Sequence, residues 1–249
     1  MIKANMHIHS KYSWDSKMEL DAIVNELLSA NIKYAGISDH IEFDRETLPY
    51  VLTKFQMRNE EIDKLNEEYA GNIVLLKGAE ISEPHLYQDS VDALSSLKLD
   101  FIMGSIHKLD KKAKTNLEIL QAKYQYYKEI LKMIEARQID IVGHFDYINR
   151  YLGEGFSDYQ QINEIMAAIN ENNLIIEINT SAARRNCDQK TFPSYYKMKL
   201  YSLRSKLITI GTDAHKLDEV DDRLVEANYL SKTLDLNQVI LKKRKREII

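Results

Sequence analysis

A single cysteine, three prolines and eight glycines in 249 residues are what this chain has least of. One thiol, Cys187, excludes an intrachain disulfide and a cysteine-rich zinc module. The scarcity of proline and glycine leaves little room for linkers, and no Gly/Ser/Pro-rich break divides the chain. No run approaches the roughly 18 apolar residues needed to cross a bilayer. The opening MIKANMHIHSKYSWD is polar and mixed, unlike a secretory leader. Neither sign of charge dominates: 34 Lys+Arg stand against 38 Asp+Glu, a formal net charge of -4. That balance argues against bulk nucleic-acid or anionic-membrane binding, both of which call for a basic surface. A soluble cytoplasmic protein with no membrane partner and no obligate nucleic acid is expected, its oligomeric state left open.

What the chain does have is apolar residues, 44% of the total, enough for a sizeable core in a single domain over 1–249. Short apolar runs at 4–9, 33–38, 73–80, 101–106, 140–144, 174–179 and 207–212 read as strands. Helical spacing fills the intervals near 19–31, 47–70, 89–97, 115–137, 158–172 and 193–205, with another stretch near 219–233. The strand runs are nearly continuous, as in strands buried on both faces. Their alternation with helices points to parallel βαβ units, hence an α/β barrel or a doubly wound sheet. The tail, 236–249, carries LKKRKREII and reads as a solvated last helical turn with its cations near the C-terminus.

The histidines carry the functional signal. Six of the seven stand at or just past the end of a strand run: His7 and His9 in HIHS, His40 in ISDH, His107 in GSIH, His144 in GHFD and His215 in GTDAH. Glu80 in GAE and Asp213 in GTDAH occupy matching places. In parallel α/β folds those strand ends form one rim, where sites are assembled from residues distant in sequence. Residues two apart on a strand face the same way, so His7 and His9 can reach one metal ion. Alone, each histidine is more simply a hydrogen-bonded structural residue. Together they make an imidazole–carboxylate set suited to zinc, manganese or iron, and too large for one ion.

These motifs, in this order, resemble those of the PHP (polymerase and histidinol phosphatase) superfamily from Met6 to His215. The resemblance implies a distorted (β/α)7 TIM-like barrel, a trinuclear centre at the C-terminal strand ends and phosphoester hydrolysis. It implies a first ion on His7, His9, Glu80 and Asp213, a second on Glu80, His107 and His144, and a third on Asp15, His40 and His215. His7, His9, Glu80 and Asp213 are then catalytic through metal-activated hydroxide, and the net positive pocket takes a phosphate monoester. Asp15, judged without the family, is equally an N-cap, and Asp39 reads as a supporting residue. Ser10 and Ser38 flank the site without the surroundings of a serine nucleophile. EINTSAARRN resembles a segment of the histidinol-phosphatase branch that places Arg184 on substrate phosphate, with Arg150, Lys108, Arg185 and His85 as further candidates. Departures from that branch are the lysine-rich KLDKKAKTN after His107 and Ala182 in place of glycine, both on the substrate side. The implied activity is a metal-dependent phosphomonoesterase of histidine biosynthesis, acting on L-histidinol phosphate. The alternatives are a PHP phosphoesterase acting on nucleotides and a non-catalytic metal-binding module.

Overall fold

The apolar runs become strands of one sheet in a computed structural model that describes residues 3–109, 111–154, 157–184 and 190–249. The strands are β1 (Ala4–Ile8), β2 (Tyr34–Ile37), the two-residue β3 (His40–Ile41), β4 (Val74–Ser82), β5 (Phe101–Ser105), β6 (Ile141–Val142), β7 (Ile175–Asn179), β8 (Leu207–Gly211), β9 (Asn237–Lys242) and β10 (Lys245–Ile248). Their order is β1-β2-β4-β5-β6-β7-β8-β9-β10, with β3 paired to β4. Every pairing is parallel except the β9–β10 hairpin. The fold is thus α/β with a parallel sheet, as the alternation of runs implied. Ile8 also forms a parallel bridge with Ala214, and the Asp213 amide donates to the His7 carbonyl at 2.9 Å. The two ends of the motif series, HIHS and GTDAH, therefore lie side by side.

The connections are α1 (Leu20–Ser29), α2 (Leu48–Glu68), α3 (Gln88–Ala93), α4 (Asn116–Glu135), α5 (Asn149–Leu152), α6 (Tyr159–Glu171), α7 (Tyr195–Ser202) and α8 (Leu224–Thr233). The longer ones start where the sequence supplies a stop for the preceding loop. Pro49 sits in the first turn of α2. Thr115 and Glu118 form a reciprocal capping box on α4, and Asp158 caps α6. Each buries an apolar stripe, such as Ile162, Ile165, Met166 and Ile169 of α6. Among the described residues no helix is long and apolar enough to cross a membrane.

The basic tail departs from expectation. Val239, Ile240 and Leu241 are buried, and β9 joins β8 in parallel before turning back through Lys243 and Arg244 into β10. Burial of that apolar triplet against the sheet outweighs the helical preference of the flanking lysines. Beneath the rim, Met6, Leu76, Phe101, Met103 and Ile175 form a compact apolar cluster. Further along β4 and β7, on the same faces, stand Glu80 and Glu177. An apolar floor therefore underlies a layer of buried carboxylates.

Candidate metal centre

Glu80 is the hub of that layer. Its Oε1 lies 2.7 Å from His144 Nε2 and 3.3 Å from His107 Nε2. Its Oε2 lies 3.0 Å from His40 Nδ1, 3.3 Å from His7 Nε2 and 3.4 Å from His9 Nε2. One carboxylate thus divides five imidazoles between its two oxygens, the disposition of a bridging ligand. Asp213 Oδ1 closes the other side, 3.5 Å from His7 Nε2 and 3.2 Å from His9 Nε2. Simple strand alternation does not by itself place His7 and His9. The register of β1 against β2 shifts between Asn5 and Ile8, and His9 lies just beyond the strand. Even so, their Nε2 atoms meet at 3.0 Å.

Four sets of donor atoms could each hold an ion, the atoms within a set lying within 4.8 Å of one another: His7, His9, Glu80 and Asp213; Glu80, His107 and His144; His9, His40 and His215; and His40, Glu42 and His107. The first two coincide with sets the resemblance implied. In the third, His9 accompanies His40 and His215, while Asp15 Oδ2 lies 3.1 Å from His215 Nε2 and 3.5 Å from His40 Nε2. The fourth brings in Glu42, which the sequence reading did not single out.

The donors fit divalent cations on their chemistry. His7 Nδ1 is 2.8 Å from the Glu177 carboxylate, which leaves its Nε2 turned toward His9; although burial opposes charge, Glu177, Glu80 and Asp213 hold the ring's proton affinity well above the usual imidazole range. Two imidazole nitrogens facing each other at 3.0 Å beside two buried carboxylates call for positive charge between them. Proton affinities express the same demand. Burial opposes charge on His40 and His107, yet Glu80 with Asp15 raises the first to about 10, and Glu80 with Glu42 raises the second to about 9. Burial and the imidazoles of His215 and His40 push His9 down to about 3. Glu80 and Asp213, though buried, are held well below the usual carboxylate range by their histidines.

Residues 5–181 match the PHP domain family. The chain belongs to that family. It is 28% identical over 218 residues to a probable histidinol-phosphatase of Thermotoga maritima, covering 87% of this chain and 85% of the relative. It is 27% identical to another from Clostridium acetobutylicum, covering 96% of each. The structure of a histidinol phosphate phosphatase from Lactococcus lactis, complexed with zinc, L-histidinol and phosphate, superposes with a TM-score of 0.80 at 21% identity, covering 98% of both chains.

Around the PHP donors a second layer fixes ring orientation. Glu177, buried in β7, takes the His7 ring on one oxygen and the His144 backbone amide on the other, at 2.8 and 3.0 Å. His9 Nδ1 meets Ser13 Oγ at 3.0 Å, His107 Nδ1 meets Ser82 Oγ at 2.7 Å, and His215 Nδ1 donates to the Asp213 carbonyl at 3.0 Å. Such partners select the tautomer that leaves the other nitrogen free to ligate. Asp39 holds the loop after β1: it accepts from the Ser10 amide at 2.6 Å and the Ser13 hydroxyl at 2.9 Å, and pairs with the fully buried Arg58 at 3.4 Å. Ser10 Oγ likewise donates to Asp39. Glu177 was missed by the sequence reading, although an acid inside the run LIIEIN was a signal that something buried must pair with it.

Above the donors opens a cavity of about 320 Å³, whose wall includes Trp14, Glu42, Arg45, Lys111, Arg150 and Tyr151. Arg150 does face it, held by Tyr147 Oη at 3.1 Å with its guanidinium over the Tyr147 and Tyr151 rings. Arg184 does not line it. Its guanidinium pairs with Asp222 at 3.1 Å and donates to the carbonyls of Thr212 and Asp213, pinning the turn that carries Asp213. Those acceptors take both terminal nitrogens of the guanidinium, and Nε faces Glu219 at 3.6 Å. His85 also points elsewhere, to Glu129 on α4 at 3.0 Å, because the turn at 84–86 packs on that helix. Lys108 reaches Tyr87 and Asp44 outside the cavity, and Lys111 from the same lysine-rich segment takes the place at its wall. Arg185 lies outside the described residues.

Proposed function

We propose that this PHP protein is a metal-dependent phosphomonoester hydrolase that converts L-histidinol phosphate to L-histidinol and orthophosphate in the cytoplasm. The observation that carries the reading is Glu80, one fully buried carboxylate reaching five histidines beneath a cavity of monoester size. His7, His9, Glu80 and Asp213 would hold one ion, Glu80, His107 and His144 a second, and His40, His215 and Asp15 a third, each zinc, manganese or iron. Bound divalent ions lower the pKa of water and neutralise phosphate charge. The chain's own residues position the ester. Arg150 presents donors to the phosphate from a platform of two tyrosines, with Lys111 adding a second cation at the wall. Glu177 and Ser13 keep the His7 and His9 rings turned inward. Support for the substrate comes from the two relatives described as probable histidinol-phosphatases and from the fold shared with the Lactococcus lactis enzyme.

Phosphate release decides the reading. Protein reconstituted with zinc or manganese is offered L-histidinol phosphate and a nucleoside 3′,5′-bisphosphate side by side. We expect preference for the amino-alcohol ester by about a hundredfold or more in kcat/KM, the discrimination a site built for polar substrate groups can reach. Cleavage of the nucleotide alone would discard the substrate while keeping the chemistry. Metal uptake without cleavage of either compound would discard both.

A further inference from the structure

At the opposite end of the parallel strands from the metal centre lies a second, larger cavity of about 930 Å³. Six cationic side chains line it (Lys77, Lys98, Arg137, Lys242, Lys243 and Arg244) against three aspartates, in a chain whose net charge is negative. One aspartate is neutralised by a cation, and the other two are held by neutral donors. Asp63 pairs with Lys77 at 2.6 Å, Asp92 accepts from the Gln138 side chain at 2.9 Å, and Asp100 accepts from the backbone amides of Lys77 and Lys243 at 2.8 Å. Among the described residues Lys98, Arg137 and Lys243 make no ion pair, although Arg137 Nε donates to the Asn172 side chain at 2.9 Å; Arg244 is held by Asp140 at 2.9 Å and Lys242 lies 3.9 Å from Glu247. The unassigned basic run of the tail thus forms one wall of a cavity that holds three cations without an ion-pair partner.

Backbone geometry adds an independent observation. Lys98, Arg137, Lys243 and Arg244 all have left-handed backbones, with φ of 50°, 57°, 50° and 60°. Lys98 ends the 3₁₀ turn before β5, Arg137 follows the C-cap of α4, and Lys243 and Arg244 are the two turn residues of the β9–β10 hairpin. These are the positions where glycine or asparagine is favoured, because a Cβ is strained there. Elsewhere the left-handed positions carry Asn31, Asn173, Asp213 and Asp235, together with Glu83 and Arg223. Here three separate connections each place a long cation at such a position, and the cations converge on one cavity. Residues kept against local backbone preference mark places where the side chain itself is needed.

We propose that this cavity binds a di- or triphosphate group, free or carried by a nucleoside. Lys98, Arg137 and Lys243 would contact the phosphates, and the aliphatic stems and apolar floor at Leu75, Leu94 and Leu99 would underlie whatever the phosphates carry. The volume accommodates a nucleotide and exceeds what orthophosphate requires.

The test is fluorescence anisotropy of N-methylanthraniloyl-labelled adenosine triphosphate on the metal-loaded protein, with magnesium and physiological salt. Unlabelled triphosphates serve as competitors. Wild type is compared with the triple substitution Lys98→Gly, Arg137→Gly, Lys243→Gly and with Arg150→Ala. The expected result is saturable binding that weakens by about tenfold or more in the triple-glycine variant. That variant should retain turnover and a melting temperature at least equal to wild type, because glycine suits all three backbones. Arg150→Ala should bind the probe like wild type. Inorganic tripolyphosphate competing as well as adenosine triphosphate would make the phosphates the sole determinant; weaker competition would give the nucleoside a share. Unchanged affinity in the triple-glycine variant, loss of binding in Arg150→Ala, or no saturable binding overturns the proposal.

Discussion

The donor layer and the wall above it are built on different principles, although they share one cavity. The donors His7, His9, Glu80, His144 and Asp213 are nearly fully buried, stand on strand ends or directly after them, and are held by partners across the sheet. The wall residues Trp14, Arg45, Lys111, Arg150 and Tyr151 stand on loops or the short α5, and Trp14 is 63% exposed. Metal donors tolerate little displacement, and the groups that could hold ions here stand where strand pairing fixes the backbone. The wall, where we propose the substrate contacts, stands on loops that can vary without disturbing that frame.

The difference is broken most severely at the hub. Glu80→Ala removes the carboxylate that reaches five histidines and leaves their charges crowded around a void. Turnover should fall by about a thousandfold or more, the scale on which loss of a central electrostatic group acts. Bound metal measured by plasma emission should fall with it. Full activity with full metal content would remove Glu80 from the centre.

The same contrast explains what could be read from sequence. The side chains that gather around Glu80 were conspicuous because apolar runs mark strand ends, where a histidine stands out. Seven of the nine strands that pair in parallel were legible for the same reason; β3 and β9 were not. Glu177 was not singled out, since its partners His7 and His144 are 170 and 33 residues away. Arg184, expected on substrate phosphate, turns toward Asp222, which becomes a neighbour only once β8 and its following turn are packed. The basic tail was misread because charge was weighed and the short Val239–Leu241 run was not.

On the wall, Arg150→Ala and Arg184→Ala separate the two layers. Arg150→Ala should raise KM for the monoester by about ten- to a hundredfold, as expected for one or two charged hydrogen bonds, with the melting temperature unchanged. Arg184→Ala should lower metal occupancy and thermal stability while leaving the KM of fully loaded protein within about twofold. An Arg184→Ala protein that stays loaded and stable but loses substrate affinity would return that arginine to the substrate. Within the donor layer, Glu177→Gln should weaken metal binding by about ten- to a hundredfold, the usual penalty for losing an orienting carboxylate. Competition against a chelator measures it.

Protons probe the donor layer without mutation. In metal-free protein His40 is held up to about 10 and His107 up to about 9, so near neutral pH both carry protons that a divalent ion must displace. Metal affinity should therefore rise with pH through the neutral range and flatten as pH approaches those values. Calorimetric titration in buffers of different ionisation enthalpy counts the protons released. A count of zero would mean that neither ring ligates.

The smallest effect belongs to His85, the one histidine outside both layers. Its side chain is only 6% exposed, which by burial alone suggests importance. Yet its partner Glu129 keeps Gln125 at 2.6 Å and Lys132 at 2.8 Å if the imidazole is removed. No charge is stranded in an apolar environment, so the penalty for an orphaned buried group does not arise. His85→Ala should cost about 1 kcal/mol of stability, mainly lost packing, and leave kcat/KM within about twofold. A fall in kcat/KM of tenfold or more, at unchanged metal content, would mean that the turn at 84–86 swings its imidazole over the substrate.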